Sequence, residues 1–205
     1  MGIILFFIAL LLPGWTNIDF INVEQENVHV ALGVWGEWRT VMNGTMRRAE
    51  WIPHFPNPSE TVLRLADADL KHYYRSQMVI GIIALVLMVA NNCLAIYSFY
   101  HHRYMYKRLT ACLHIVIAMC IVIVIEVLSK SINEWNLSVA QQSVDRDWDY
   151  SVGQTTGYPS YMAYACVFIY IFAAIAFAVS SHKQKGSRAA TAEFEIEDRP
   201  IHIGR

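Results

Sequence analysis

Three long apolar segments constrain this chain more than any other feature of its sequence. They are Ser76–Tyr100, Leu109–Leu128 and Ser160–Ser181. Each is long enough for a helix that crosses a bilayer core of ~30 Å, which takes about 20 residues. Because lipid offers the backbone no hydrogen bonds, a helix is the expected structure for each. Charged residues are only 16% of the chain, against ~25% in soluble domains, and the sequence therefore predicts a helical membrane protein.

A shorter apolar segment occupies residues 1–15 and ends in Pro13-Gly14-Trp15. As a helix it would reach about 22 Å, which is short of a full crossing. A cleaved signal peptide, a thin first span and a chain that lacks its true start are all open interpretations. The segment has no basic n-region, and Pro13-Gly14-Trp15 is a poor small-residue cleavage site, which favours a first span, intact or clipped, over a signal peptide.

The charges of the connecting segments set the expected orientation. The link 101–108 carries basic residues and no acid, and the tail 182–205 begins with further basic residues. Cytoplasmic loops carry such an excess, so both regions and both termini are predicted to be cytoplasmic. The connections 16–75 and 129–159 then face outside. The two glycosylation sequons, at Asn43 and Asn136, fall one in each of these outer connections.

The first outer connection is long enough for a small folded lobe. Thr16–Val23 and Val28–Thr40 are rich in β-branched and aromatic residues, which predicts strands. Pro53 and the two prolines after it end any sheet, and apolar residues at helical spacing predict a helix over Ser59–Tyr74. Charged residues lie within and after the second strand segment, and we expect a solvated face there, the alternative being an ion path or partner surface: Glu37, Arg39, Arg47, Arg48 and Glu50.

Four polar side chains stand out within the spans: Glu126, His114, Asn91 and Asn92. A charge in a span is a functional candidate by default, but Glu126 is close enough to the interface to pair with Lys130 one turn on. We expect His114 to be packed or to face water, and one asparagine to bond across helices, an interaction of ~0.6 kcal/mol. All cysteines also lie in the spans, as small packing residues, so the outer lobe has no disulfide: Cys93, Cys112, Cys120 and Cys166.

Several positions carry a family resemblance. Trp15 is followed by Gly33-Val34-Trp35, which resembles the W…GLW signature of the claudin, epithelial membrane protein and peripheral myelin protein superfamily. Arg75 at the outer mouth of the second span, and both edges of the last span, are similar to the same superfamily. The resemblance implies an all-α membrane protein, a four-helix transmembrane bundle topped by a small extracellular antiparallel β-sheet. In that fold Trp35 would anchor the sheet at the outer leaflet. Arg75 would cap the bundle and pair with a loop acid or a backbone carbonyl.

The chain also departs from the family pattern. The family usually has a cysteine pair shortly after the GLW signature. Here Trp38 occupies the place of the first cysteine, and the outer connections contain no later one. The resemblance therefore implies a divergent relative rather than a typical tight-junction strand former.

The function expected from these features is interaction rather than catalysis. No catalytic, cofactor or metal motif is present, and a net charge of -1 gives no indication of nucleic-acid binding. We expect a multi-pass plasma-membrane protein that organises cell–cell contacts through its outer loops. Its partners would be membrane lipids and other membrane proteins, in cis or in trans. The alternative is an auxiliary subunit that changes the trafficking or gating of a channel or receptor.

Overall fold

The computed structural model describes residues 2–22, 24–55, 70–100, 104–145 and 150–197. Within these ranges the chain forms four helices and five strands. The helices are α1 (Gly2–Leu11), α2 (Lys71–Tyr100), α3 (Tyr104–Asp145) and α4 (Tyr158–Glu197). The strands are β1 (Thr16–Ile21), β2 (Asn27–Leu32), β3 (Gly36–Asn43), β4 (Met46–Pro53) and β5 (Val152–Thr156).

The helices form a bundle in which chain neighbours are also neighbours in space. α3 packs along α2 and α4, and α1 closes the ring against α4 and α2. Two glycines allow the approach of α1: Gly2 lies against the ring of Tyr170, and Gly81 lies against Leu10. Each glycine therefore provides the space that a partner side chain occupies.

Three of the described helices are long and apolar enough to cross a membrane, over Lys71–Tyr100, Met105–Gln141 and Tyr158–Lys183. Their outward surfaces are apolar as well, and Phe172, for example, is 74% exposed. Helices that are apolar all round belong either in a protein core or in lipid, and these are not in a core. Helix α1 has 10 residues, or about 15 Å, so it is half as long as a bilayer core.

Helix α3 is much longer than the apolar segment from which it was predicted. Its 42 residues reach about 63 Å, roughly twice the thickness of a bilayer core. The final part buries Ile132 and Val139, and Ile132 and the half-buried Trp135 lie against the sheet. The connection predicted at 129–159 therefore begins as a helix, and Trp135 packs on Phe20.

The strands form one antiparallel sheet in the order β4-β3-β2-β1-β5. Side chains alternate between two faces, and the inner face packs on the sheet end of α2 and α3. The strands predicted from Thr16–Val23 and Val28–Thr40 correspond to β1, β2 and most of β3. Strands β4 and β5 were not predicted. The buried inner-face residues are Ile18, Phe20, Val28, Val30, Leu32 and Ile52.

Two further observations concern chain segments at the edges of the bundle. Most of the helix predicted over Ser59–Tyr74 lies outside the described residues, and α2 begins at Lys71. The acidic residues up to Glu197 lie in α4, because that helix continues to this residue.

Candidate interaction surface

Trp15 joins three parts of the fold at one position. Its side chain is fully buried, and its indole N–H donates to the carbonyl of Ala9 at 2.8 Å. Its backbone N–H donates to Leu32 of β2 at 2.7 Å. Its carbonyl accepts from the N–H of Gly157 at 2.9 Å and from the hydroxyl of Ser160 at 2.7 Å. Trp15 therefore fixes α1, the sheet and the start of α4 to one another.

The turn between β2 and β3 contains Gly33 and Trp35. Gly33 lies so close to the chain after α1 that a Cβ there would be 2.9 Å from Cα of Pro13. The half-buried Trp35 ring meets Phe55 edge-to-face, with centroids 6.4 Å apart, and its carbonyl accepts from the N–H of His54. The turn is thus packed on both sides, whereas the contact of Trp35 with the outer leaflet stays a prediction.

A buried polar cluster lies between the sheet and α2. Arg39 donates to Glu37 at 3.3 Å, and Nε2 of His54 lies 4.0 Å from the other carboxylate oxygen of Glu37. The His54 ring stacks on Tyr74 with centroids 3.8 Å apart. A cavity of about 30 Å³ adjoins Glu37, Arg39 and Tyr74, which is room for a water molecule.

This cluster divides the charged run for which a solvated face was expected. That expectation is wrong for Glu37, which is 4% exposed, and for Arg39, which is half-buried. It holds for Arg47, Arg48 and Glu50, all of which are exposed. The division follows from strand alternation combined with the limited width of the bundle, because only the part of the inner face above the helices is covered.

The outer face of the sheet carries an aromatic pair. Trp38 of β3 stands directly opposite Trp51 of β4, with ring centroids 5.5 Å apart. The two side chains remain 44% and 38% exposed, and Met42 on the same face is 43% exposed beside Arg47. We call Trp38, Met42, Arg47 and Trp51 the aromatic patch.

Trp51 was not among the predicted site residues, although a signal for it exists. The two-residue loop Gly44–Thr45, with Gly44 at φ +56, fixes the register of β3 and β4. That register alone places Trp51 opposite Trp38. The pair therefore links the two strands at the position where the family pattern has its first cysteine.

The two glycosylation sequons differ in their surroundings. Asn43 is exposed at the end of β3, and its amide donates to Glu26 at 2.8 Å. Asn136 is half-buried on α3 and accepts a hydrogen bond from the hydroxyl of Tyr150 at 3.2 Å. Burial raises the pKa of Tyr150 to about 12. Asn43 is thus the more open acceptor in the folded protein, and the use of either sequon stays a prediction.

Asn91 and His114 form a buried polar contact between two of the membrane-length helices. The buried amide nitrogen of Asn91 on α2 lies 3.0 Å from Nδ1 of His114 on α3. Nδ1 of His114 also lies 2.7 Å from the carbonyl oxygen of Thr110. The His114 ring stacks on Phe177 and tilts against Tyr170. The pair therefore joins α2, α3 and α4 in a packed environment.

The remaining predicted site residues are exposed. Asn92 and Glu126 face outward from their helices, and Glu126 forms no ion pair with Lys130. Arg75 is exposed near the start of α2, and no hydrogen bond or ion pair joins it to the residues that the structure describes. Its expected partner in the outer loop stays a prediction. Among the described residues, no group of three or more His, Cys, Asp or Glu could hold a metal ion.

Taken together, these features define a class of protein. Membrane-length helices packed in chain order, with a short helix closing the ring and one antiparallel sheet at a single end, are the architecture of a membrane protein that displays a sheet.

The family model described as PMP-22/EMP/MP20/Claudin tight junction matches residues 1–179. The chain therefore belongs to this family, as the resemblance at Trp15, Gly33, Trp35 and Arg75 indicated. A search of curated protein sequences finds no significant match.

Proposed function

We propose that this chain is a four-span protein of the plasma membrane that acts at cell–cell contacts, where its sheet binds another membrane protein. The observation that carries the proposal is the aromatic patch. Tryptophan, methionine and arginine are enriched at protein interfaces, and exposed apolar patches mark interaction sites. The inner face of the same sheet packs on the bundle, so the outer face is the surface left for a partner.

The proposed topology has the sheet outside and both termini in the cytoplasm. Lys107 and Arg108 at the start of α3 lie at the end of the bundle away from the sheet, and Lys107 donates to Ser180 of α4 at 3.2 Å. His182 and Lys183 follow at the same end. This basic excess supports a cytoplasmic location. In this topology α1 is a thin first span, supported by its packing on α4 and α2.

The contact role can be tested by mixing cells that express the tagged chain with cells that do not. If the sheet binds a second copy or a related protein in trans, the tag will concentrate at borders between two expressing cells. The double variant Met42→Glu/Arg47→Glu alters the patch without removing either tryptophan, so it should abolish this enrichment. The matched control is Thr155→Glu, which lies on the same face at the far edge of the sheet.

Three outcomes are decisive. Loss of enrichment in the patch variant alone supports the proposal, provided that both variants reach the cell surface. Equal enrichment of the tag at cell borders in both variants would show that the aromatic patch is not the contact surface. A uniform surface distribution of the unaltered chain, with co-purification of one channel or receptor, refutes the contact role in favour of an auxiliary subunit.

The topology has an independent test in microsomes. Glycan addition at Asn43, lost in Asn43→Gln, is expected, together with no glycan on a sequon engineered near Tyr104. The opposite pattern would invert the proposed orientation.

A further inference from the structure

A groove of about 510 Å³ runs between α3 and α4 on the outside of the bundle. Its walls are apolar, with Ile115 on α3 and Ile171 and Ile175 on α4. Small side chains at Ala111, Ala174 and Ala178 form its floor and edge, so the two helices leave space where larger residues would fill it. The groove lies at the end of the bundle away from the sheet.

The length of the groove matches one leaflet of a bilayer. From Ile171 to His182 the lining follows α4 over a rise of about 17 Å. Half of a bilayer core is about 15 Å. An acyl chain that lies along the groove would therefore reach from the membrane surface to the bilayer midplane.

The charge of the groove is one-sided. Arg108 and His182 line the end nearest the aqueous boundary, and Lys107 and Lys183 are their chain neighbours. Residues 104–125 and 158–192, which supply both walls, contain no aspartate or glutamate. Basic pockets between membrane helices on the cytoplasmic side suit anionic headgroups, whereas the apolar part suits an acyl chain.

We propose that this groove binds one anionic phospholipid. Its phosphate lies at Arg108 and His182, and an acyl chain lies against Ile115, Ile171 and Ile175. That the lipid comes from the cytoplasmic leaflet rests on the proposed orientation of the chain. The site is separate from the aromatic patch, since the two lie at opposite ends of the molecule.

Native mass spectrometry of the purified full chain, with equimolar phosphatidylserine and phosphatidylcholine of identical acyl chains, tests the proposal. We expect the phosphatidylserine adduct to be retained in preference to phosphatidylcholine. Arg108→Gln should reduce that preference roughly fivefold, the effect of about 1 kcal/mol for one basic residue. Ala178→Phe fills the groove and should remove the phosphatidylserine adduct. The control Ala176→Phe changes an exposed alanine of the same helix outside the groove lining, and should leave it.

A second measurement keeps the proposal testable if the groove-filling variant does not fold. Phosphatidylserine with a photoreactive acyl chain should label peptides that contain Ile115 or Ile171 and not peptides from α2. Equal retention of the two lipids, an unchanged preference in Arg108→Gln, or labelling spread evenly over all helices would each overturn the proposal. These readouts do not depend on orientation, so an inverted topology in microsomes would change the leaflet and leave the site.

Discussion

Gly157 occupies a position where an added methyl group has no space. A Cβ at this residue would lie 1.7 Å from the carbonyl oxygen of Gly14 and 2.9 Å from the carbonyl carbon. Gly157 has no positive φ, unlike Gly14 and Gly44, so alanine meets only a steric obstacle. The obstacle is backbone, which cannot rotate away as a flexible side chain would. Gly157→Ala must therefore separate the start of α4 from the segment that follows α1.

The expected cost follows from the contacts at this point. Overpacking costs ~1–3 kcal/mol, and a lost hydrogen bond costs ~0.5–1.5 kcal/mol. Two bonds converge on Trp15 here, one from the N–H of Gly157 and one from the hydroxyl of Ser160. Their combined loss with the overpacking gives about 4 kcal/mol. At ~2–4 °C per kcal/mol for a chain of this size, Tm should fall by roughly 8–16 °C.

The measurement is thermal unfolding of the purified protein in one detergent. Samples are heated to a series of temperatures, and the protein that remains folded is then measured by size-exclusion chromatography with tryptophan fluorescence detection. Gly153→Ala is the matched control, because its Cβ would meet nothing closer than 3.8 Å. We expect that variant to keep its Tm or to gain stability by about 0.4–1 kcal/mol through a stiffer unfolded chain. If Gly157→Ala and Gly153→Ala melt within experimental error of each other, the argument that Gly14 and Gly157 form an obligatory contact is wrong.

Three further predictions test other parts of the fold. Trp38→Cys/Trp51→Cys should form a disulfide visible as a mobility shift that reductant reverses, because directly opposed antiparallel residues have Cα atoms ~4.5–5.5 Å apart. Absence of this reversible shift, measured against the unaltered chain with its four native cysteines, would contradict the register. Asn91→Ala should lower the free energy of unfolding by ~0.6–1.7 kcal/mol, while substitution of the exposed Asn92 by alanine should not. Equal effects of the two substitutions would show that the Asn91–His114 contact does not stabilise the bundle. Burial raises the pKa of Tyr150 to about 12, so the phenol of the unfolded chain loses its proton at a lower pH than that of the folded chain. The free energy of unfolding should therefore fall between about pH 10 and 12, and Tyr150→Phe should reduce this fall. The same pH dependence of stability in Tyr150→Phe would count against burial of the phenol.

The position of the helices could be predicted from sequence because hydropathy is a local property. Ser76–Tyr100 and Ser160–Ser181 lie within α2 and α4, and Leu109–Leu128 lies within α3. The ends were less predictable. Helix α3 continues to Asp145, and its final part packs on the sheet through Ile132 and Trp135, a cover that comes from a distant part of the chain.

In the candidate interaction surface, too, some residues could be predicted from the sequence and others could not. Trp15, Gly33 and Trp35 could be identified from their spacing in the chain. Trp51 could have been found from the hairpin register, since a two-residue loop determines every pair above it. His54 could not, because Tyr74, on which its ring stacks, lies on α2 outside the hairpin.

The sequence by itself determined that this chain contains membrane-length helices, where they lie, and that a strand-rich segment separates the first two apolar segments. Those conclusions depend on the composition of short segments. The preference of such a segment for lipid or for a strand does not depend on the rest of the chain. Only the tertiary structure decided which charges are buried, that His54 stacks on Tyr74, and that Gly157 touches Gly14. These depend on the register of the strands and on the width of the bundle beneath them, and both arise only when distant segments pack together.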